Sequence, residues 1–272
     1  MTTTDQMKLF FEPKSVAILG VSRKTGSGSF NIVECLQLYG YQGKVYPVNP
    51  NAQEILNIRC HPSVEDIREP IDLAVISLDR NQVLPAVESC VNAGIKAIVV
   101  ISQGLADVGK EGKVLQNKIR DAARAKGARI VGPNTMGVVN NFHNFTTSSI
   151  PLVKTHSSVS IICQSGIFIT GFYSFTGPIG KAIDIGNTCD VDFADVLEYY
   201  ASDLETQIIE AATRFPTKPI VVWAYGPDLE RITEKLDASG RVVILPSAER
   251  SIQVFHVLLG RWKFLEQNEN LS

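Results

Sequence analysis

The residues best suited to chemistry stand in one turn, Gly20-Val-Ser-Arg-Lys-Thr-Gly-Ser-Gly28, directly after the apolar run Ser15 to Leu19. Glycines let the backbone come close to a ligand, and a helix following the turn offers N–H groups and the positive end of its dipole to an anion. Ser22 supplies a hydroxyl, and Arg23 and Lys24 place two cations inside the turn. The spacing is neither the G-x-G-x-x-G of dinucleotide sites nor the Walker G-x-x-x-x-G-K-[ST]. At the end of the next apolar run, where NAD folds carry an acid for the ribose hydroxyls, this chain has Asn49-Pro50. A carboxylate at that place repels a ribose phosphate; an amide does not. The turn therefore suits a ligand with both a pyrophosphate and a ribose phosphate, as coenzyme A has, better than it suits NAD. Two solvated turn residues are the plainer alternative for Arg23 and Lys24.

Further small or amide side chains close later apolar runs: Ser77-Leu-Asp79, Ile101-Ser-Gln-Gly104 and Gly132-Pro-Asn-Thr135. Other chemistries fit less well. Asp190, Asp192 and Asp195 suggest calcium, but an EF-hand loop begun at Asp190 would need Gly where Asp195 stands and Glu where Ala201 stands. Asp192 and Asp195 read better as a capping box before an apolar helix. Ser165 lies in Cys163-Gln-Ser-Gly-Ile, which lacks the first glycine of a G-x-S-x-G nucleophile elbow. The 5 cysteines are odd in number, widely spaced and without C-x-x-C, so neither a disulfide framework nor a structural zinc site is expected.

These residues need elements to position them. Strands are expected at 15–19, 44–48, 71–77, 96–101 and 129–131, with helices over 30–39, 82–93 and 110–126. Continuous apolar strands alternating with helices make a parallel sheet covered on both faces. The polar stretch Asn140 to Ser149 reads as a linker or surface loop. The alternation then resumes, with strands at 158–163, 182–185, 207–210, 219–224 and 241–245 and helices near 167–174, 193–200, 228–236 and 248–265. The expectation is an α/β chain of two doubly wound parallel sheets, residues 1–142 and 143–272, with ligands at the carboxyl ends of the strands.

Composition narrows the class. The 272 residues are 44% hydrophobic, and 26 basic against 28 acidic side chains leave a formal charge of −2. Such a chain folds, and it lacks the basic footprint of a general nucleic-acid binder. Its apolar runs fall far short of the ~18 residues that span a bilayer. Met1-Thr-Thr-Thr-Asp-Gln has no basic start and no apolar core, so it does not read as a secretory signal, and a reducing, cytoplasmic setting is expected.

Taken together, the series resembles the NDP-forming acyl-CoA synthetase superfamily, which includes the succinyl-CoA synthetase alpha subunit and ADP-forming acetyl-CoA synthetases. The similar residues are Phe11-Glu-Pro-Lys-Ser-Val-Ala-Ile-Leu-Gly20, Val45-Tyr-Pro-Val-Asn-Pro50, Val99-Val-Ile-Ser-Gln-Gly104, Gly109-Lys-Glu-Gly112 and Gly132-Pro-Asn134. The second half continues with Gln164-Ser-Gly166, Gly186-Asn187, Asp190-Val-Asp192, Asp195-Val-Leu-Glu-Tyr-Tyr200, Asp203-Leu-Glu-Thr206 and Pro246-Ser-Ala-Glu-Arg250. The resemblance implies a Rossmann-like CoA-binding domain followed by a flavodoxin-like, succinyl-CoA synthetase-type domain. By position, Gly20, Ser22, Arg23 and Lys24 would face the CoA phosphates, and Asn49 and Pro50 would lie near the adenosine. Ser77, Leu78, Ser102 and Gln103 would line the pantetheine path, and Asn134 would sit near the thiol. Gln164, Ser165 and Gly166 would open a phosphate site; a plain helix cap is the alternative for Ser165.

The chain also departs from that pattern. The family reaction passes a phosphoryl group through a histidine in a Gly- and Ser-rich loop, oriented by a Glu. Here Thr206-Gln-Ile-Ile-Glu210 brings a Glu too early, and Tyr225-Gly-Pro-Asp-Leu-Glu230 holds no histidine. His61, His143, His156 and His256 all stand elsewhere. The expectation is an alpha-like protein that binds CoA or an acyl-CoA without its own phosphohistidine. The alternatives are an active acid–thiol ligase subunit working with a separate ATP-grasp beta-type chain and, further off, a nicotinamide-binding redox regulator. A homo-oligomer is left open.

Overall fold

A computed structural model gives the fold and describes residues 2–26, 31–148, 159–167, 169, 171, 179–202, 204–217, 220–223, 229–245 and 247–269. Gly28, His156, residues 224–228, Pro246 and most of the helix expected over 167–174 lie outside these. The chain divides into two units, Met1–Tyr199 and Tyr200–Ser272.

The first unit opens with α1 (Thr3–Phe11), which the sequence reading did not anticipate. Thr2 and Asp5 form a reciprocal capping box at its start, and Met7, Phe10 and Phe11 are buried on its inner face. The sheet that follows contains β1 (Ser15–Leu19), β2 (Lys44–Val48), β5 (Leu73–Ile76), β6 (Ala97–Val100) and β7 (Arg129–Val131) in the order β2-β1-β5-β6-β7. Every pairing in it is parallel. Strands β1, β5 and β6 are buried along their whole length, as apolar strands covered on both faces should be. Helices α2 (Ile32–Tyr39), α3 (Arg80–Asn92) and α4 (Lys110–Ala125) connect them. Strands β3 (Glu54–Ile55) and β4 (Ile58–Arg59) form a small separate hairpin. The chain moves outward from β1 to β2 and then back across to β5. This reversal opens the carboxyl edge at β1, where such folds bind ligands.

The polar stretch 140–149 is not a linker in its described part. Strands β8 (Gly137–Asn140) and β9 (Phe145–Thr146) pair antiparallel and join β10 (Ser160–Cys163) and β11 (Lys181–Asp184) in a second sheet ordered β10-β11-β8-β9. Asn140, Thr146 and Thr147 are each 0% exposed. They are polar because they bond the backbone: the Asn140 amide donates to the Phe11 carbonyl at 2.9 Å, and the Thr147 hydroxyl accepts from the Val138 N–H at 2.8 Å. Composition suggests a loop where buried hydrogen bonding requires the same residue types.

Asp190 ties this region to the first sheet. Its side chain is 0% exposed and takes Arg124 at 2.6 Å, Arg129 at 3.1 Å and the Ile130 N–H at 2.8 Å. Asp192 accepts from the Ala194 and Asp195 N–H groups, and Asp195 accepts from the Asp192 N–H, so the expected capping box forms at the start of α5 (Phe193–Ala201).

The second unit holds β12 (Ile220–Trp223) and β13 (Val242–Leu245), paired in parallel, with α6 (Leu204–Arg214), α7 (Leu229–Ala238) and α8 (Ala248–Glu269). The strand expected at 207–210 is helix instead. Ile208, Ile209 and Ala212 lie on one helical face and pack with Leu236 and Val242. Two adjacent isoleucines fit either period, and tertiary packing decides between them. No helix among the described residues is long and apolar enough to cross a membrane.

Candidate functional site

The turn after β1 is built by side chains that sequence reasoning passed over. Asn31, 2% exposed, caps α2 by accepting from the Val33 and Glu34 N–H groups. Its amide nitrogen donates back to the Ser22 carbonyl at 2.7 Å and the Lys24 carbonyl at 3.3 Å. The Ser22 hydroxyl accepts from the Lys24 N–H at 3.0 Å. Asn49 also holds the turn, donating to the Val21 carbonyl at 3.1 Å. Arg23 and Lys24 are exposed, and no ion pair holds either among the described residues. The Gly26 N–H donates to both carboxylate oxygens of Glu34 at 3.0 Å. The turn thus already holds an anion, one supplied by the chain itself. Replacing Glu34 with Ala removes this internal carboxylate from the turn and should tighten CoA about two- to fivefold in a calorimetric titration, the size of one modest hydrogen-bond term.

Gly20, with φ +80°, is where the first and third parallel strands end side by side. A Cβ there would lie 2.1 Å from the Ser77 carbonyl oxygen and 2.7 Å from Leu78 Cδ2. A cleft of about 540 Å3 opens beside it, lined by Gly20, Asn49, Pro50, Leu78 and, from other elements, Glu65 and Gln82. That size falls within the roughly 300–1,000 Å3 of ordinary ligand sites. Glu65 comes from a 3-10 turn, Val64–Asp66, and no spacing in the sequence announced it. A hydrogen bond from Ser89, which also lines the cleft, holds its carboxyl below the usual range. The cleft therefore carries an ionised acceptor that the end of β2 lacks.

Ser102 serves the protein rather than the cleft. It is 7% exposed, and its hydroxyl donates to the Leu78 carbonyl at 2.7 Å while accepting from the Leu78 N–H at 3.0 Å. Ser77 and Gln103 are exposed at the same edge but line neither this cleft nor the next.

A second cleft, about 510 Å3, is lined by Ala106, Asp107, Asn134, Gln164, Ser165, Gly186 and Asn187. Asn134 has φ +56° and donates its N–H to the Ser102 carbonyl at 2.9 Å. Gly186 packs so tightly on this segment that a Cβ would stand 2.3 Å from the Pro133 carbonyl oxygen. The Gln164 amide donates to the Thr188 hydroxyl at 3.3 Å, and Gly166 leaves room for Met136, whose sulfur a Cβ would meet at 1.9 Å. Seven of the fourteen predicted site residues thus line a cleft, Gly20, Asn49, Pro50 and Leu78 the first and Asn134, Gln164 and Ser165 the second, while Ser22, Arg23, Lys24, Ser77, Ser102, Gln103 and Gly166 line neither. His61, His143 and His256 line neither. Burial pushes the Cys163 thiol up to about 11, so this cysteine beside Gln164 is a thiol and not a nucleophilic thiolate near neutral pH.

A parallel sheet with a glycine turn after its first strand and a cleft at the reversal of strand order is the doubly wound α/β architecture, a class that places its ligand sites at that edge. Comparison with known proteins narrows this class. Residues 14–141 match the family described as a CoA binding domain, and residues 156–213 match the succinyl-CoA ligase like flavodoxin domain. The chain belongs to the NDP-forming acyl-CoA synthetase superfamily. It is 37% identical over 215 residues to acetate–CoA ligase [ADP-forming] II of Archaeoglobus fulgidus, a match covering 76% of this chain and 32% of that protein. It is 34% identical over 211 residues to the alpha subunit of acetate–CoA ligase [ADP-forming] I of Pyrococcus furiosus, covering 75% of this chain and 46% of that one. Among solved structures it resembles the Ca. Korarchaeum cryptofilum dinucleotide forming acetyl-coenzyme A synthetase 1 in complex with phosphate and ADP. There the TM-score is 0.68 at 26% identity, over 91% of this chain and 61% of that one. The chain thus spans less than half the length of these curated relatives.

Proposed function

We propose that this chain binds CoA or an acyl-CoA in the cleft beside Gly20, as an alpha-like member of its superfamily without a phosphohistidine of its own. The observation that carries the reading is the convergence of Gly20, Asn49-Pro50 and Leu78 on one cleft at the carboxyl edge of a parallel sheet. The residues fit the ligand's chemistry. Arg23 and Lys24 stand in the adjoining turn as cations for phosphate. Glu65, Asn49 and Gln82 can meet the hydroxyl and amino groups of an adenosine. Val48, Pro62, Leu78 and Pro85 provide apolar wall for the base. The same reading divides the chain into a CoA module at 1–142 and a ligase-like module at 143–272. It places the protein in a reducing, cytoplasmic setting, which its 5 free cysteines support.

Isothermal titration with CoA and acetyl-CoA tests this directly; no heat at millimolar ligand sinks it. Arg23→Ala with Lys24→Ala should weaken CoA by roughly tenfold and dephospho-CoA by much less, because two charge-assisted contacts to the ribose phosphate are lost. Equal losses for both ligands would take the ribose phosphate away from this turn. Stabilisation by NADH and not by CoA would favour the nicotinamide alternative.

A second reading is an active ligase subunit served by a separate ATP-grasp chain. The cleft of Asn134, Gln164 and Ser165 favours it, since amide and hydroxyl groups there surround space enough for a phosphoryl or acyl group. Labelling with radioactive ATP in the presence of the partner chain distinguishes the two. Acid-labile phosphate on His143 or His156 would establish the active form.

A further inference from the structure

The second unit leaves apolar surface uncovered, and most of it stands on one helix. Of the sixteen large hydrophobic side chains exposed among the described residues, five belong to α8: Ile252, Phe255, Val257, Leu259 and Phe264. The helix lies against β12 and β13. Ser251, Val254 and Leu258, spaced three and four apart, form its buried or half-buried side. Folded monomers seldom leave so much apolar surface in one place without a use for it.

Ile252, Phe255 and Leu259 are 69%, 44% and 49% exposed. Their spacing of three and then four residues is the heptad spacing that lines up apolar side chains for a second helix. Val257 and Phe264 lie on another side of the helix, outside this line. Glu249, His256 and Lys263 follow one another at seven-residue intervals along one flank of the line, and all three are exposed. No ion pair holds Glu249 or Lys263 among the described residues.

This pattern is complementary to itself. A second α8 laid end for end along the line, with Phe255 of each copy against Leu259 of the other, brings the same flank of both helices together. Glu249 of each copy then falls opposite Lys263 of the other, and His256 meets His256, where an imidazole can both donate and accept. One arrangement thus gives two opposite-charge pairs related by a two-fold axis, as an isologous interface requires. A parallel pair would set this flank against the opposite one, where Ser251 is 8% exposed and Leu258 is apolar, and both charges would go unanswered. Charge complementarity therefore selects a second copy of this chain, antiparallel, as the occupant.

We propose that α8 is a self-association face, through which two copies of this chain pair antiparallel across Ile252, Phe255 and Leu259, with Glu249 and Lys263 setting orientation and register. The pairing is weak and reversible. One helix seam falls below the roughly 1,200 Å2 at which stable interfaces begin, and exposed ion pairs choose the register more than they add affinity.

Sedimentation equilibrium of the full chain tests this. The average mass should rise from that of one chain toward that of two between about 5 and 500 μM, the range of a small interface. Leu259→Asp should keep the chain monomeric throughout; Ile252→Asp serves if that variant does not fold. Glu249→Lys sets like charges against each other at both ends of the seam, and so does Lys263→Glu. Each should weaken the dimer about tenfold. Mixed in equal amounts, these two variants offer opposite charges at both ends, and the mixture should dimerise about as the wild type does. The double variant carrying both reversals should do the same. A wild type that stays monomeric at 500 μM overturns the proposal and leaves the face to a different chain. A dimer that survives Leu259→Asp overturns it as well, since the copies then meet elsewhere. A mixture no stronger than either charge variant alone overturns the antiparallel pairing.

Discussion

Asp190→Ala is expected to lower the unfolding free energy of the unit Met1–Tyr199 by about 3 kcal/mol. The carboxylate is 0% exposed and is shared by Arg124, Arg129 and the Ile130 N–H. Removing it leaves the Arg129 guanidinium, whose side chain is only 18% exposed, with Asp195 as its one carboxylate partner among the described residues. It also leaves a buried backbone N–H with no acceptor. Losing one partner of a buried pair is costly for that reason, more than the pair itself is worth. For a unit of this size the loss corresponds to a fall of roughly 6–12 °C in Tm, read by calorimetry or circular dichroism. Asp190→Asn keeps an acceptor for Ile130 and should fall between the two. A shift under about 2 °C for the alanine variant would mean that the cluster is ornamental and that packing and backbone hydrogen bonds such as Val191 N–H to the Ile130 carbonyl hold β7 to the segment before α5.

Gly20→Ala should weaken CoA by at least about tenfold, because both of its faults act on the cleft. The residue has φ +80°, and the added Cβ would stand 2.1 Å from the Ser77 carbonyl oxygen, which is backbone and cannot swing aside. The 77–78 segment must move, and Leu78 lines the cleft. Gly94→Ala is the matched control, since Gly94 has φ +89° with nothing within 4 Å. That variant carries the left-handed strain, roughly 1–2 kcal/mol, without the collision, and should bind CoA as the wild type does. If Gly20→Ala retains full affinity, the CoA site lies elsewhere on the chain.

Part of the candidate site was legible because a glycine and an amide directly after successive parallel strands mark the carboxyl edge of the sheet. Gly20, Asn49-Pro50 and Leu78 were expected together and share one cleft. Ser102 was expected to face a ligand and instead fastens Leu78, since a hydroxyl at a strand end can serve either the backbone or a ligand. Asn31, Glu34 and Glu65 were missed. Asn31 and Glu34 follow the glycine turn within six residues and were passed over as ordinary helix-start residues, whereas Glu65 comes from an element whose nearness in space no local spacing encodes. The hydrogen bonds that the Asn187 amide donates to Gln116 and Asp107 were missed for the same reason, with Asn187 standing 80 residues from Asp107 along the chain.

Local order along the chain fixed the alternation of strands and helices in the first sheet, because a fully buried parallel strand needs an unbroken apolar run and its helix needs a 3.6-residue period. Composition likewise shows no basic footprint of a general nucleic-acid binder and no apolar run long enough to span a bilayer. Where the two periods coincide, as at Ile208-Ile209, or where polarity signals burial and exposure equally, as at 140–148, only tertiary packing decided. The same holds for the chemistry. The sequence put an amide at position 134, and only the fold brings the Asn187 side chain within 3.4 Å of it and sets both on one cleft.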